Sequence, residues 1–205
     1  SSSFYKSAWS PKIPVFYGKD NVHGMGDVTN ATIFPHNIGL GATRDSALVR
    51  RIGQAVAEEM WAAHIDLNFS PAISVPRDER WGRTYEGFGE IPELVASLGA
   101  AYVRGLQGDN FDAEWRVPAT VKHFLGDGAT DKGYDRGNAT ISEEELNAIH
   151  LPPYIAAIEQ GVQSVMASFN QVNGVHQHVD SLRLTVLLKK ELGFDGYVIA
   201  DWEGI

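Results

Sequence analysis

Several stretches of this sequence place ionisable and aromatic side chains directly after short apolar runs, where they could do chemistry. The sharpest is Tyr197 to Ala200, apolar and β-rich, followed at once by Asp201, Trp202 and Glu203. A buried carboxylate is costly unless paired or hydrogen-bonded, so Asp201 needs a reason to be there. The ordinary one is an Asp capping a following helix; the chemical one is a nucleophile or base at a strand end. Val117–Val121 leads likewise into Lys122 and His123, neither of which is comfortable inside a protein without a partner. A lone His would more often be structural. Ile13–Gly18 leads into Lys19-Asp20-Asn21-Val22-His23-Gly24. The loop from Arg77 to Glu90 crowds arginines, acids, Trp81 and Tyr85 together. That mixture suits a sugar, since aromatic faces stack on apolar C–H surfaces while arginines and carboxylates bind hydroxyls. Salt bridging accounts for Arg77 to Arg80, which leaves Arg83 and Glu86 as the pair assigned to binding.

Such residues must be positioned by an ordered scaffold. Strands are expected at Ile13–Gly18, Ile65–Ser70, Val117–Val121, Ser164–Ser168 and Tyr197–Ala200. A helix starts at Asp45 or Ser46 with Leu48, Ile52, Val56 and Met60 on one face, and another carries Leu94, Leu98, Tyr102 and Leu106. Ser142 and Glu145 have capping-box spacing for a helix that Pro152 and Pro153 interrupt, and Asp180 caps one with Leu184, Leu187, Leu188 and Leu192 facing inward. Met25 to Arg44 reads as a loop. Strands alternating with helices, each strand followed by polar residues, are the habit of a (β/α)8 TIM-type barrel, whose sites form at the carboxyl ends of its strands. About five β/α units are present, so the barrel is incomplete in this chain. A doubly wound open sheet is the rival topology.

The 205 residues carry 17 Lys+Arg against 26 Asp+Glu, a net charge of −9 without a basic cluster, so nucleic acid and anionic membranes are poor partners. With no cysteine there are no disulfides and no thiolate chemistry. No apolar run approaches the ~20 residues of a membrane span, and Ser1 to Lys6 does not read as a signal peptide. The histidines show no convincing metal spacing, and neither a phosphate-binding glycine pattern nor any other cofactor motif is completed. His176-Gln177-His178 is read as loop.

The sequence resembles glycoside hydrolase family 3, the β-glucosidases and exo-β-glucanases, from about Ile13 to Ile205. The resemblance rests on Asp20-Asn21-Val22-His23-Gly24, Ala31 to Asn37, Arg80-Trp81-Gly82-Arg83-Thr84-Tyr85-Glu86, Val121-Lys122-His123-Phe124 and Val198 to Gly204. It implies that residues 1–205 are part of the family's amino-terminal barrel domain. Asp201 matches the family's nucleophile. Asp20, Arg83, Lys122 and His123 match the residues that hold the first sugar, with Glu86 in the same loop. Trp202 matches an aromatic shaping the aglycone side. The implied reaction is retaining hydrolysis of a β-glucoside or β-glucan oligosaccharide through a glycosyl-Asp intermediate, which needs a nucleophilic carboxylate and a second carboxyl group to protonate the leaving oxygen.

That acid is the gap. In the glucosidase branch it is a Glu on a later segment, commonly in a second α/β domain, here expected beyond residue 205. In the hexosaminidase branch a His-Asp pair in the loop after Lys-His does this work, but Gly126 to Gly133 holds no histidine, which disfavours that branch. Lys19 and Met25-Gly26-Asp27 depart from the family pattern beside the glycone site, and Gly89-Glu90-Ile91-Pro92 departs further on. The resemblance also implies secretion or a periplasmic location. Two other readings compete: a catalytically incomplete fragment that only folds or binds sugar, and a barrel enzyme forming a Schiff base on Lys122. The chain alone is expected to be inactive.

Overall fold

The computed structural model describes residues 15–109 and 115–204. In chain order these form β1 (Gly18–Lys19), α1 (Asn37–Thr43), α2 (Ser46–Ala62), β2 (Leu67–Asn68), α3 (Pro92–Gln107), β3 (Thr120–Phe124), β4 (Asn138–Ala139), α4 (Glu143–Glu145, continued by a π-type turn to His150), α5 (Pro152–Glu159), β5 (Ser164–Ala167), β6 (Gln171–Val172), β7 (Val175–His176), a π-type helix α6 (Leu182–Glu191) and β8 (Tyr197–Ile199).

The parallel strands neighbour one another in sequence order. β1 pairs with β2, and β5 lies between β3 and β8. Parallel bridges from Asn68 to Ala119 and from Ala72 to Lys122 join β2 to β3. The order is therefore β1-β2-β3-β5-β8, without the reversal that defines the switch point of a doubly wound sheet. This is an incomplete α/β barrel, and all of its strand ends point the same way.

Each helix forms for a local reason. Asp45 accepts a hydrogen bond from the Leu48 amide at 2.9 Å, capping α2. Val49, Ile52, Val56 and Met60 of α2 are buried, so the inward stripe includes Val49, with Leu48 at its margin. On α3, Leu98, Tyr102 and Leu106 are buried. Ser142 accepts from the Glu145 amide at 3.1 Å, and α5 restarts at Pro152. Asp180 accepts from the Leu182 and Arg183 amides at 3.0 and 3.1 Å. Of the leucines expected inward on α6, only Leu188 is fully buried.

Three sequence expectations shift. Part of the first strand candidate, Ile13-Pro14, lies outside the described residues; the observed strand begins only at Gly18. β3 starts at Thr120 and runs to Phe124, so Lys122 and His123 lie within the strand instead of after it. The stretch read as loop from Met25 contains α1. Two glycines masked that helix, and Gly41 is there for packing: a Cβ would sit 1.8 Å from the Phe88 carbonyl oxygen.

A second small sheet is built from the segments that follow β3 and β5. β4, from the segment after β3, pairs parallel with β6, from the segment after β5, and β7 returns antiparallel. This fixes the 130–140 loop against residues 169–176.

Candidate active site

A narrow, partly open cleft lies at the strand ends. Its walls carry Trp81 and Arg83 from the loop after β2, His123 and Asp127 from β3 and its loop, Phe169 after β5, and Asp201 after β8.

His123 is buried between two carboxylates. Its Nδ1 lies 2.9 Å from Asp127 Oδ2. An ionised carboxylate can only accept, so Nδ1–H is the donor and Nε2 is turned to the cleft. There it stands 3.6 Å from Asp201 Oδ2. Asp127 also accepts from Ser74 Oγ at 2.7 Å and from the Gly128 amide at 2.9 Å. Burial works against the Asp127 charge, but His123, Ser74 and the more distant Arg83 more than offset it, holding the carboxyl below its ordinary value.

Arg83 donates to Glu86 through both Nε and Nη2, at 2.9 and 2.8 Å, a bidentate fork on one short turn. Burial opposes the guanidinium charge; Glu86, Asp127 and Asp201 outweigh that and raise its pKa. The fork is held in place from behind, where Asn37 of α1 donates to the Glu86 carbonyl at 2.8 Å. Elsewhere in the lining, Trp81 Nε1 donates to Asp135 at 3.1 Å, and the Arg136 guanidinium lies 4.4 Å over the Phe169 ring.

Asp201 has 17% of its side chain exposed. Its Oδ1 accepts from the Trp202 amide at 2.7 Å, while its own backbone amide donates to His178 Nε2 at 3.1 Å.

The structure thus brings Arg83, His123 and Asp201 together, with Glu86 behind Arg83. Lys122 and Asp20 stand to one side, outside the cleft lining. Buried Lys122 pairs with Asp20, whose side chain is 62% exposed. Trp202 is 80% exposed and is not among the residues that line the cleft. Lys19 and Asp27, both departures from the family pattern, form an ion pair with each other. Sequence reasoning missed Asp127, Phe169 and His178. Only Asp127 carried a signal, four residues beyond His123 and flanked by glycines in Gly126-Asp127-Gly128. Among the described residues no cluster of three or more His, Cys, Asp or Glu is arranged to hold a metal ion, and no helix is long and apolar enough to cross a membrane.

A parallel sheet in sequence order, with arginine, histidine, aromatic rings and an aspartate gathered at its strand ends, defines the α/β-barrel class of fold. Residues 3–205 match the glycosyl hydrolase family 3 N terminal domain, and the chain belongs to that family. It is 38% identical over 200 residues to a lysosomal beta glucosidase of Dictyostelium discoideum, covering 95% of this chain and 24% of that protein. It is 34% identical over 190 residues to a periplasmic beta-glucosidase of Salmonella typhimurium, covering 93% and 24%. The crystal structure of an exo-1,3/1,4-beta-glucanase from a Pseudoalteromonas species superposes with a TM-score of 0.90 at 52% identity, covering 94% of this chain and 24% of that one. The chain spans about a quarter of the length of these relatives.

Proposed function

We propose that this chain is part of the amino-terminal barrel domain of a retaining, exo-acting β-glucosidase or β-glucan glucohydrolase, with Asp201 as nucleophile. The observation that carries this is the placement of the Asp201 carboxylate just beyond the end of β8, 3.6 Å from His123 Nε2, in a cleft that Arg83 and Trp81 also line. The similarity to an exo-1,3/1,4-beta-glucanase supports a β-glucan substrate.

In this reading a terminal glucosyl residue enters the cleft. Asp201 Oδ2 attacks the anomeric carbon as the glycosidic C–O bond breaks, giving a glycosyl-Asp ester, and water then releases the sugar with retention. His123 and Arg83 bind hydroxyls through contacts that tighten as positive charge develops on the ring. Asp20, Lys122, Glu86 and Trp202 lie outside the cleft lining; their assignment to the glycone, and of exposed Trp202 to the departing group, rests on the match to the family's motifs, with Glu86 acting through Arg83.

The leaving oxygen needs a proton, and the cleft's other carboxylates are poor donors. Asp127 is held ionised by His123 and Ser74, and Asp135 is engaged by Trp81. We assign the acid to a carboxyl group outside the described residues, contributed by a second α/β domain of the parent chain. Without that acid, residues 1–205 fold or bind sugar without turning an oligosaccharide over. A Schiff base on Lys122 is disfavoured because that amine is paired with the Asp20 carboxylate and lies outside the cleft lining. The periplasmic relative supports action in the periplasm or outside the cell.

The test is mechanism-based labelling. A 2-deoxy-2-fluoroglucoside should esterify Asp201 in the full-length protein, identified by peptide mass spectrometry, and Asp201→Asn should abolish labelling. Ester on Glu86 or Glu203 would overturn the assignment.

A further inference from the structure

We infer that His178 is a positioning residue for the nucleophile: as a hydrogen-bond acceptor it fixes the loop that carries Asp201, and it lets go when its ring is protonated. This rests on the reading of Asp201 given above.

β8 is an outer strand among the described residues, hydrogen-bonded on one side to β5. The loop that follows it therefore needs an anchor of its own. Inside the loop, the Gly204 amide donates to the Asp201 carbonyl at 2.9 Å and the Trp202 amide to Asp201 Oδ1 at 2.7 Å. Both bonds shape the turn without fixing where it sits. The Asp201 amide reaches out of the loop, donating to His178 Nε2 at 3.1 Å. The turn also wraps the imidazole closely. A Cβ on Gly204 would meet His178 Nε2 at 2.3 Å, so only glycine allows this approach. On its other side His178 packs against Phe169 of the cleft wall, with ring centroids 5.2 Å apart.

An amide N–H can be accepted only by an unprotonated ring nitrogen, so His178 must be neutral with its proton on Nδ1. Protonation turns Nε2 into a donor facing a donor, and the bond is lost. The groups that act on the ring are Asp201 from the β8 loop, His176 from β7 and His123 from β3. Beyond uncharged Phe169 stands Arg136. Burial is the largest influence and favours the neutral ring, reinforced by the two histidines and opposed by Asp201; the net effect lowers the His178 pKa from its ordinary value. The competent form therefore persists at neutral pH and is lost on the acid side.

The experiment uses the full-length protein with His178→Phe, which keeps a ring without an acceptor, and His178→Gln, which keeps an acceptor that does not titrate. The readouts are the rate of inactivation by a 2-deoxy-2-fluoroglucoside and kcat/KM from pH 4 to 8. His178→Phe should slow ester formation on Asp201 by about ten- to hundred-fold, the scale of a misplacement near 1 Å, with KM changed less than kcat. His178→Gln should restore most of the rate and flatten the acid limb. Label on Asp201 with an unchanged rate in His178→Phe would overturn the role of His178 alone. Should His178→Phe fail to fold, an acid limb in His178→Gln identical to wild type would overturn it as well. Label on another residue in the wild-type protein would instead sink the Asp201 assignment.

Discussion

Lys122 and His123 are neighbours in sequence and serve different partners, in the stretch between Val121 and Phe124 where the register of β3 is irregular. Lys122 reaches Asp20, 102 residues away, while His123 is clamped by Asp127 and turned toward Asp201. Of the side chains gathered at the cleft, Asp201 and His123 were legible because ionisable residues at strand ends are costly without a partner, and Arg83 because its loop crowds arginines, acids and aromatic rings. Their supports were not. His178 acts on a backbone amide 23 residues later, and a backbone amide has no signature in sequence. Asp127 supplies a charged acceptor to His123, a bond worth about 1.5–3 kcal/mol. Asp127→Asn should therefore lower glucoside kcat/KM by about 10–100-fold in the full-length protein, through kcat more than KM if His123 acts mainly in the transition state. Lys122→Ala and His123→Ala should each cost at least roughly ten-fold. Steady-state kinetics on an aryl glucoside decide this; unchanged turnover in both alanine variants would make the pair structural.

At the scale of elements, helices were easier to read than strands. α2, α3 and the helix begun at Ser142 announce themselves through caps and a 3.6-residue apolar period, which survive whatever packs outside them. The strands are only two to five residues long and their limits are set by partners. β3 extends to Phe124 because Thr120, Val121 and Phe124 find register with Ser164, Val165 and Ala167 of β5, a fact held by two segments and by neither alone. α1 was hidden because Gly39 and Gly41 weaken its local preference, while close contact with Phe88 requires one of them. The caps give a direct check. Asp45→Ala removes the acceptor for the Leu48 amide and should cost about 1 kcal/mol, lowering the barrel domain's Tm by about 2–4 °C. Glucoside kcat/KM should stay at wild-type level, since Asp45 is exposed at the start of α2 and takes no part in the cleft. Calorimetry alongside kinetics tests both halves, and a large loss of activity without a shift in Tm would contradict this division between scaffold and site.

For the molecule as a whole, the sheet runs in sequence order with its site at one rim, and what lies beneath that rim makes its stability sensitive to acid. His150 closes the turn after α4, is 2% exposed and leaves Nε2 without a partner among the described residues. Burial pushes it from 6.5 down to about 4, with the Asp127 charge opposing and Arg77 assisting. Above about pH 6.5 the ring is neutral in both folded and unfolded chains and stability does not depend on it. Between 6.5 and 4 the unfolded chain takes up a proton that the folded chain refuses, so stability falls as pH falls. By pH 5 the loss is on the order of 2 kcal/mol, approaching roughly 3 kcal/mol once both forms are protonated. His178 acts in the same direction, weakened by its exposure to solvent. Asp127 contributes in a different window: its depressed pKa supports the fold above about 3.8 and is lost only as pH drops through the lowered value. The interval from pH 7 to 5 therefore separates the contribution of His150 from that of Asp127. Thermal unfolding of wild type and His150→Gln at pH 7 and pH 5 should show a larger acid-induced drop in Tm for wild type, with the difference set by His150. Parallel drops in the two proteins would mean that the folded chain protonates His150 as readily as the unfolded one, and the acid sensitivity would have to come from elsewhere in the fold.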